Sequence, residues 1–220
     1  MNRVIVFDLD GTLVDTRLEL TNATNLMLRS YGRNALPMEQ VVSYVGNGMR
    51  ALVEKALAAT NTDGNIIDPD EALEVQKRAY RASMNLTSSL YPGVYKTVRD
   101  LKNAGWKLAL LSNKPGDLCK SILLEFGLTR YFNTILGGME DFPLKPEPDG
   151  LLFIKELLEI DGPAWMVGDG AQDLIAGQRA GFKTCYAAYG FGSDIGNTPF
   201  DAKIDTFEQL KEILKNEPAG

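Results

Sequence analysis

Short apolar runs that end abruptly at polar residues constrain this chain more than anything else in it. The run Val4 to Leu9 is rich in β-branched residues and breaks at Asp10-Gly11, which reads as a buried strand followed by a loop. Trp106 to Leu111, Thr134 to Leu136, Ala164 to Val167 and Thr184 to Ala187 repeat the pattern. Between them lie helix-like stretches, Val94 to Asn103, Leu118 to Phe126, Leu151 to Leu158 and Ala171 to Ala180. Gly105, Gly127 and Gly181 follow three of these, as helix C-termini require. Strand then helix, repeated, predicts an α/β fold with a mostly parallel sheet covered on both faces. Lys203-Ile204-Asp205 and then Phe207 to Leu214 add an edge strand and a closing helix.

From about Thr16 to Leu90 the rhythm changes. Leu18 to Arg29, Met49 to Ala59 and Asp70 to Met84 all read as helices, with turns marked by Pro37, Gly46, Gly48 and Asn61 to Gly64. No strand pattern separates them. The expected organisation is therefore a core begun by residues 1–15, a helical insertion over 16–88, and the remaining core over 89–220. Two lobes then face each other across the carboxyl edge of the sheet, where loops and helix N-termini converge on ligands.

Composition narrows the chemistry. The chain of 220 residues contains no histidine, which excludes a Ser-His-Asp triad, a phosphohistidine mechanism and an imidazole zinc site. Cys119 and Cys185 are too few and too far apart for a disulfide framework, and are expected as reduced thiols. A formal charge of −6 argues against a nucleic-acid or anionic-membrane surface, though not against a small anionic metabolite. Val4 follows the N-terminus without a signal-peptide layout, and no run has the length of a membrane span, so a cytoplasmic location is expected.

Four polar clusters fall at the ends of the expected strands. The first is Asp8-Leu9-Asp10-Gly11-Thr12, where two acids two residues apart reach the same side of a crevice and Gly11 lets the backbone turn close to a ligand. The second, Ser112-Asn113-Lys114-Pro115, ends the Leu110-Leu111 run and offers the Ser112 hydroxyl and the Asn113 N–H to an anion. In the third, Lys145 stands between Leu144 and Pro146, so its direction is restricted. The fourth is Gly168-Asp169-Gly170-Ala171-Gln172-Asp173, another strand ending in an acid with a second acid one helical turn on. Taken singly, each has a plainer reading: an acidic turn, a strand-to-helix turn capped by Asp117, a charged surface loop, or helix capping by Asp173.

Together the clusters are complementary. The acids suit a hard divalent cation, Mg²⁺, held by Asp8, Asp169 and the Asp10 carbonyl. Ser112, Asn113 and Lys145 suit the oxygens of a phosphoryl group. In that arrangement Asp8 is the nucleophile and Asp10 the general acid and base. Asp173 orients Lys145 or a metal-bound water.

These four clusters, in this order, closely resemble those of the haloacid dehalogenase-like hydrolase superfamily, nearly end to end. Asp8, Asp10, Gly11 and Thr12 match its first motif, Ser112 its second, Lys145 its third, and Gly168, Asp169 and Asp173 its fourth. The resemblance implies a Rossmann-like core, an inserted all-helical cap domain, and the residue roles just assigned. Gly170 departs from the pattern, since relatives often carry Ser or Thr there. Asp10 disfavours the dehalogenases themselves, which need no proton delivered to a halide. A sugar-phosphate mutase is disfavoured by the lack of cap histidines. Within the superfamily the sequence is most similar to bacterial phosphoglycolate phosphatases, on Phe7 to Asp15, Tyr44-Val45-Gly46-Asn47-Gly48, Ser112 to Pro115 and Leu144-Lys145-Pro146. That implies 2-phosphoglycolate as substrate, with Asn47 and Arg50 as candidates for reading its carboxylate. Pyrophosphatases, nucleotidases and sugar-phosphate phosphatases share the skeleton, and a non-catalytic phosphometabolite-binding module is the alternative of another class.

Overall fold

The computed structural model of the chain describes residues 1–61, 64–83, 87–138, 142–192, 194–215 and 217. In chain order, β1 (Val4–Phe7) leads through a two-residue β2 (Val14–Asp15) into α1 (Arg17–Ser30), α2 (Met38–Val42), α3 (Gly48–Ala59) and α4 (Pro69–Ser83). The short β3 (Ser89–Leu90) returns the chain to α5 (Val94–Asn103), β4 (Lys107–Pro115), α6 (Gly116–Glu125) and β5 (Thr134–Gly138). Then follow α7 (Asp149–Leu157), β6 (Ala164–Gly168), α8 (Ala171–Arg179), β7 (Lys183–Ala187), β8 (Ala202–Ile204) and α9 (Leu210–Leu214). The expected end of the third insertion helix at Met84, and part of the turn at Asn61 to Gly64, lie outside the described residues.

Six strands form one parallel sheet in the order β5-β4-β1-β6-β7-β8. The period of two along β1 divides its side chains between two dry layers. Ile5 and Phe7 join Leu108, Leu110, Trp165 and Val167 on one face, whereas Val4 and Val6 join Ala109, Leu111 and Met166 on the other. Val98 of α5, Ile122 of α6 and Leu210 of α9 cover the first face; Leu151 of α7 and Ala176 of α8 cover the second. Each apolar side chain buried this way contributes about 1.5–3 kcal/mol relative to exposure. Cys119 and Cys185 are free and buried in the first layer.

The strand order places the site. From β1 the chain steps outward to β4 and β5, then returns to the opposite side of β1 for β6, β7 and β8. The carboxyl end of β1, between β4 and β6, is the switch point where open α/β sheets take ligands. The helical insertion lies over this end. Its two connections pair antiparallel as β2 and β3, Val14 opposite Leu90 and Asp15 opposite Ser89, so the chain leaves and rejoins the core through one ribbon. These two strands and the five-residue α2 are too short to leave a periodic signal in sequence.

One expected boundary is corrected. Strand β4 does not stop at Leu111 but runs on through Ser112-Asn113-Lys114 to Pro115, with an irregular register against β5 between Leu111 and Pro115. A bulge of this kind keeps the chain extended while turning successive side chains to new directions. Among the described residues no helix is long and apolar enough to cross a membrane.

Candidate active site

Asp8 stands one residue beyond β1, its N–H continuing the ladder to the Val167 carbonyl at 3.0 Å. Its side chain is buried, and Lys145 Nζ lies 3.0 Å from its Oδ1. The two form a buried ion pair, and among the described residues Asp8 Oδ1 has no partner besides that ammonium. Burial pushes the Asp8 pKa up to about 6 against the pull of Lys145, and the charges of Asp173 and Asp10 add to the push.

Lys145 is held by its surroundings. Its Nζ donates to the Leu111 carbonyl at 2.7 Å and to Asp173 Oδ1 at 2.6 Å. Burial opposes its charge, but Asp173 and Asp8 outweigh that cost and raise its pKa. Asp173 serves two ends at once: its other oxygen accepts the Gly170 N–H at 3.0 Å, capping α8. Asp173 thus bonds the Lys145 ammonium with one oxygen and the first turn of its own helix with the other.

Asp169 closes the group from the end of β6. Its Oδ1 accepts the Thr12 hydroxyl at 3.3 Å, and its Oδ2 accepts the N–H groups of Phe191 at 3.0 Å and Gly192 at 2.6 Å. Burial first, then Asp8 and Asp173, raises its pKa well above the usual carboxylate range despite those two donors. Gly11 has φ +83°, and a Cβ on it would lie 1.8 Å from Asp169 Oδ2, so only glycine allows this approach.

Oxygen atoms of Asp8, Asp169 and Asp173 lie within 4.8 Å of one another, and all three residues are buried. Three buried carboxylates beside one ammonium leave uncompensated negative charge, and among the described residues Asp8 Oδ1 has no partner besides that ammonium. The residues present therefore fit a hard divalent cation with oxygen ligands. Asp10 is not in this carboxylate group. Both its oxygens lie 3.0 Å from Lys114 Nζ, and its Oδ1 also accepts the Thr16 hydroxyl at 2.7 Å.

In the second cluster Ser112 is buried and lines the cavity with Asn113. The Asn113 side chain bonds the Lys145 backbone and donates to the Gly46 carbonyl of the insertion at 2.8 Å. Lys114, given no role by sequence, is buried between Asp10 and the ring of Tyr80 on α4, 4.3 Å from its centroid. Burial opposes the Lys114 charge, and Asp10 with the Tyr80 phenol outweighs it and raises the pKa. The Tyr80 hydroxyl in turn donates to Glu19 Oε2 of α1 at 3.1 Å, and Ser88 bonds the same oxygen.

Asn47 and Arg50 do not enter the cavity. Both are exposed, and the Arg50 guanidinium is engaged by Glu54 at 2.9 Å and by Asp70. The insertion instead faces the site with Leu20, Val45, Gly46, Gly48, Met49 and Leu52. Gln172, Phe191 and Gly192 complete the walls of a cavity of about 50 Å³. Sequence offered one signal for the last two: a second glycine-containing loop, Tyr189 to Gly192, directly after a strand.

The family model for haloacid dehalogenase-like hydrolases matches residues 5–187, which takes in all four clusters. The chain belongs to this family. Among bacterial relatives, a phosphoglycolate phosphatase of Psychrobacter arcticus is 36% identical, covering 99% of this chain and 98% of the relative. Phosphoglycolate phosphatase 1 of Pseudomonas aeruginosa is 40% identical over 94% of this chain and 78% of its own length. The crystal structure of a predicted phosphoglycolate phosphatase from Haemophilus somnus superposes with a TM-score of 0.88 at 27% identity, covering 97% of this chain and 98% of that one. As a member of the family, the chain is a hydrolase, and its buried aspartates form the group able to take a divalent cation.

Proposed function

We propose that this hydrolase is a magnesium-dependent phosphomonoesterase that converts 2-phosphoglycolate and water to glycolate and phosphate through a phosphoaspartyl intermediate. The observation that carries this reading is Asp8 Oδ1: a buried carboxylate oxygen at the switch point whose one partner among the described residues is a fixed ammonium 3.0 Å away. With no second donor on it the oxygen keeps a lone pair for attack, and Lys145 offsets the charge of an approaching phosphoryl group.

In this scheme Asp8 attacks phosphorus while Ser112, the Asn113 N–H and Lys145 hold the equatorial oxygens as charge spreads over them. Asp10 gives a proton to the leaving alkoxide, then takes one from the water that hydrolyses the acyl phosphate. Asp173 keeps Lys145 aimed, and Thr12, Phe191 and Gly192 keep Asp169 aimed. Bound Mg²⁺, held by Asp8, Asp169 and the Asp10 carbonyl, supplies charge neutralisation between nucleophile and substrate.

The choice of substrate draws on the phosphoglycolate phosphatases among the relatives. Residues 16–88 act as the cap in this reading, hinged on the β2–β3 ribbon and excluding water when closed over the core.

Phosphate release measured across a panel of small phosphomonoesters, with Mg²⁺ and with EDTA, tests the reaction. Acid-quenched trapping of labelled phosphoenzyme tests the intermediate. We expect 2-phosphoglycolate to give the highest kcat/KM and the Asp8→Asn variant to trap no label. Better turnover of pyrophosphate or a nucleoside monophosphate overturns the substrate, and labelling of the variant overturns the nucleophile.

A further inference from the structure

Accepting 2-phosphoglycolate poses a physical problem that the groups around Asp8 do not solve. Such a substrate carries a carboxylate beside its phosphoryl ester. Once the cap closes, that second anion must sit on the cap side of the cavity, against Leu20, Val45, Met49 and Leu52. A carboxylate desolvated against such walls costs several kcal/mol unless a cation meets it.

Among the described residues only two cations line the cavity, Lys145 and Lys114. Lys145 is already committed to the Leu111 carbonyl, Asp173 and Asp8. Arg50 is held outside by Glu54 and Asp70. Lys114 remains, and it is well placed to meet the second anion. It is buried, and it lies between a core carboxylate, Asp10, and a cap ring, Tyr80. Among the described residues Asp10 is the one carboxylate paired with it. An ammonium with three rotatable donors can keep one bond to Asp10 and turn another to an incoming anion.

We propose that Lys114 is the residue that recognises the substrate's second anionic group, a carboxylate on the carbon next to the phosphoester. This rests on the phosphomonoesterase reading above and adds to it the residue that sets substrate class. The Tyr80–Glu19–Ser88 chain supports Lys114 from the cap side, because Tyr80 keeps its ring against the ammonium by donating to Glu19. Selection for the carboxylate is thereby tied to the cap being closed.

The test compares 2-phosphoglycolate with ethyl phosphate, which keeps the two-carbon ester and replaces the carboxylate by a methyl group. Wild-type protein should prefer 2-phosphoglycolate by roughly a hundredfold or more in kcat/KM, since the neutral analogue forgoes a charge-assisted bond to Lys114 in a site closed to water. In Lys114→Met that ratio should collapse to within about tenfold of unity, chiefly through KM for 2-phosphoglycolate. Lys114→Arg, which keeps the charge, should retain the preference for the carboxylate even where kcat falls, and it stands in if the methionine variant does not fold.

Equal losses on both esters would overturn the inference and leave Lys114 as a positioning residue for Asp10. A wild-type enzyme that turns over both esters equally would also overturn it, while leaving the phosphatase reading intact. Calorimetric binding of the two esters to Asp8→Asn and to Asp8→Asn/Lys114→Met repeats the comparison without turnover. If catalysis proves absent, that reading fails by itself, and binding that is indifferent to Lys114→Met then overturns the inference separately.

Discussion

The Asn113 carboxamide holds the Lys145 backbone from both sides, its Oδ1 accepting the Lys145 N–H at 2.9 Å and its Nδ2 donating to the Lys145 carbonyl at 2.9 Å. One side chain thus stands in for a strand bridge and fixes the direction in which the lysine leaves its loop. Asn113→Ala leaves a buried N–H and C=O without these partners, at a cost of about 1–3 kcal/mol each. We expect a lower Tm and at least a roughly tenfold lower kcat on an aryl phosphate, because Lys145 loses its aim. Asn113→Asp keeps the acceptor and loses the donor, so it should not rescue. Wild-type kcat in either variant would refute this positioning role.

Asp8→Asn should do more than abolish turnover. Folded Asp8 has its pKa at about 6, against 3.8 ordinarily, with burial the main cause. Between those values the folded state binds the proton more tightly than the unfolded chain. Stability therefore falls as pH rises through this window, and the full cost persists above it. A displacement of about two pH units corresponds to roughly 3 kcal/mol. In EDTA, Asp8→Asn should melt above wild type at about pH 8 and close to it below about pH 4. Saturating Mg²⁺ should narrow the gap by favouring the ionised wild-type carboxylate. A variant that melts lower than wild type at the alkaline end would show that Asp8 carries no such electrostatic cost.

Asp10→Asn separates proton delivery from geometry. The amide can still bond Thr16 but cannot pair with the Lys114 ammonium as a carboxylate does. An alkyl phosphate, whose leaving group needs a proton, should lose about 10²–10⁴-fold in kcat, and a nitrophenyl phosphate much less. Equal losses on the two would assign Asp10 to holding Lys114 and the site's shape instead.

What sequence made legible follows from where the physics is local. A strand that ends in an acid, as at Asp8 and Asp169, is a local contradiction of burial, and the sheet placed both acids at its carboxyl edge. Lys145 could be singled out because Leu144 and Pro146 flank it. Lys114 could not, because its partners Asp10 and Tyr80 lie far from it in sequence. Arg50 looked like a cap donor because its partner Asp70 lies twenty residues further on, in another helix. The loop after β7 has the same character: nothing near Gly190 in sequence says that Asp169 will be packed against it.

That loop gives the most demanding prediction. A Cβ at Gly190 would lie 2.3 Å from Asp169 Cβ and 2.4 Å from the Gly11 carbonyl oxygen, both closer than real Cβ atoms come. The neighbouring N–H groups of Phe191 and Gly192 are the donors that orient Asp169 Oδ2, so displacing the loop moves the carboxylate and loosens its bonds together. Partners of this kind typically govern about 10–100-fold in metal affinity. Gly190→Ala should therefore raise the Mg²⁺ concentration for half-maximal activity by roughly tenfold or more, while KM for substrate measured at saturating Mg²⁺ changes little. Mg²⁺ binding followed by calorimetry, without substrate, should weaken by the same factor, which separates a metal effect from a slower enzyme. An unchanged Mg²⁺ curve in a folded Gly190→Ala protein would show that Asp169 is not a ligand, or that the loop can yield without moving it. Asp169→Asn decides between the two, since a true ligand must lose far more metal affinity there than in the glycine variant.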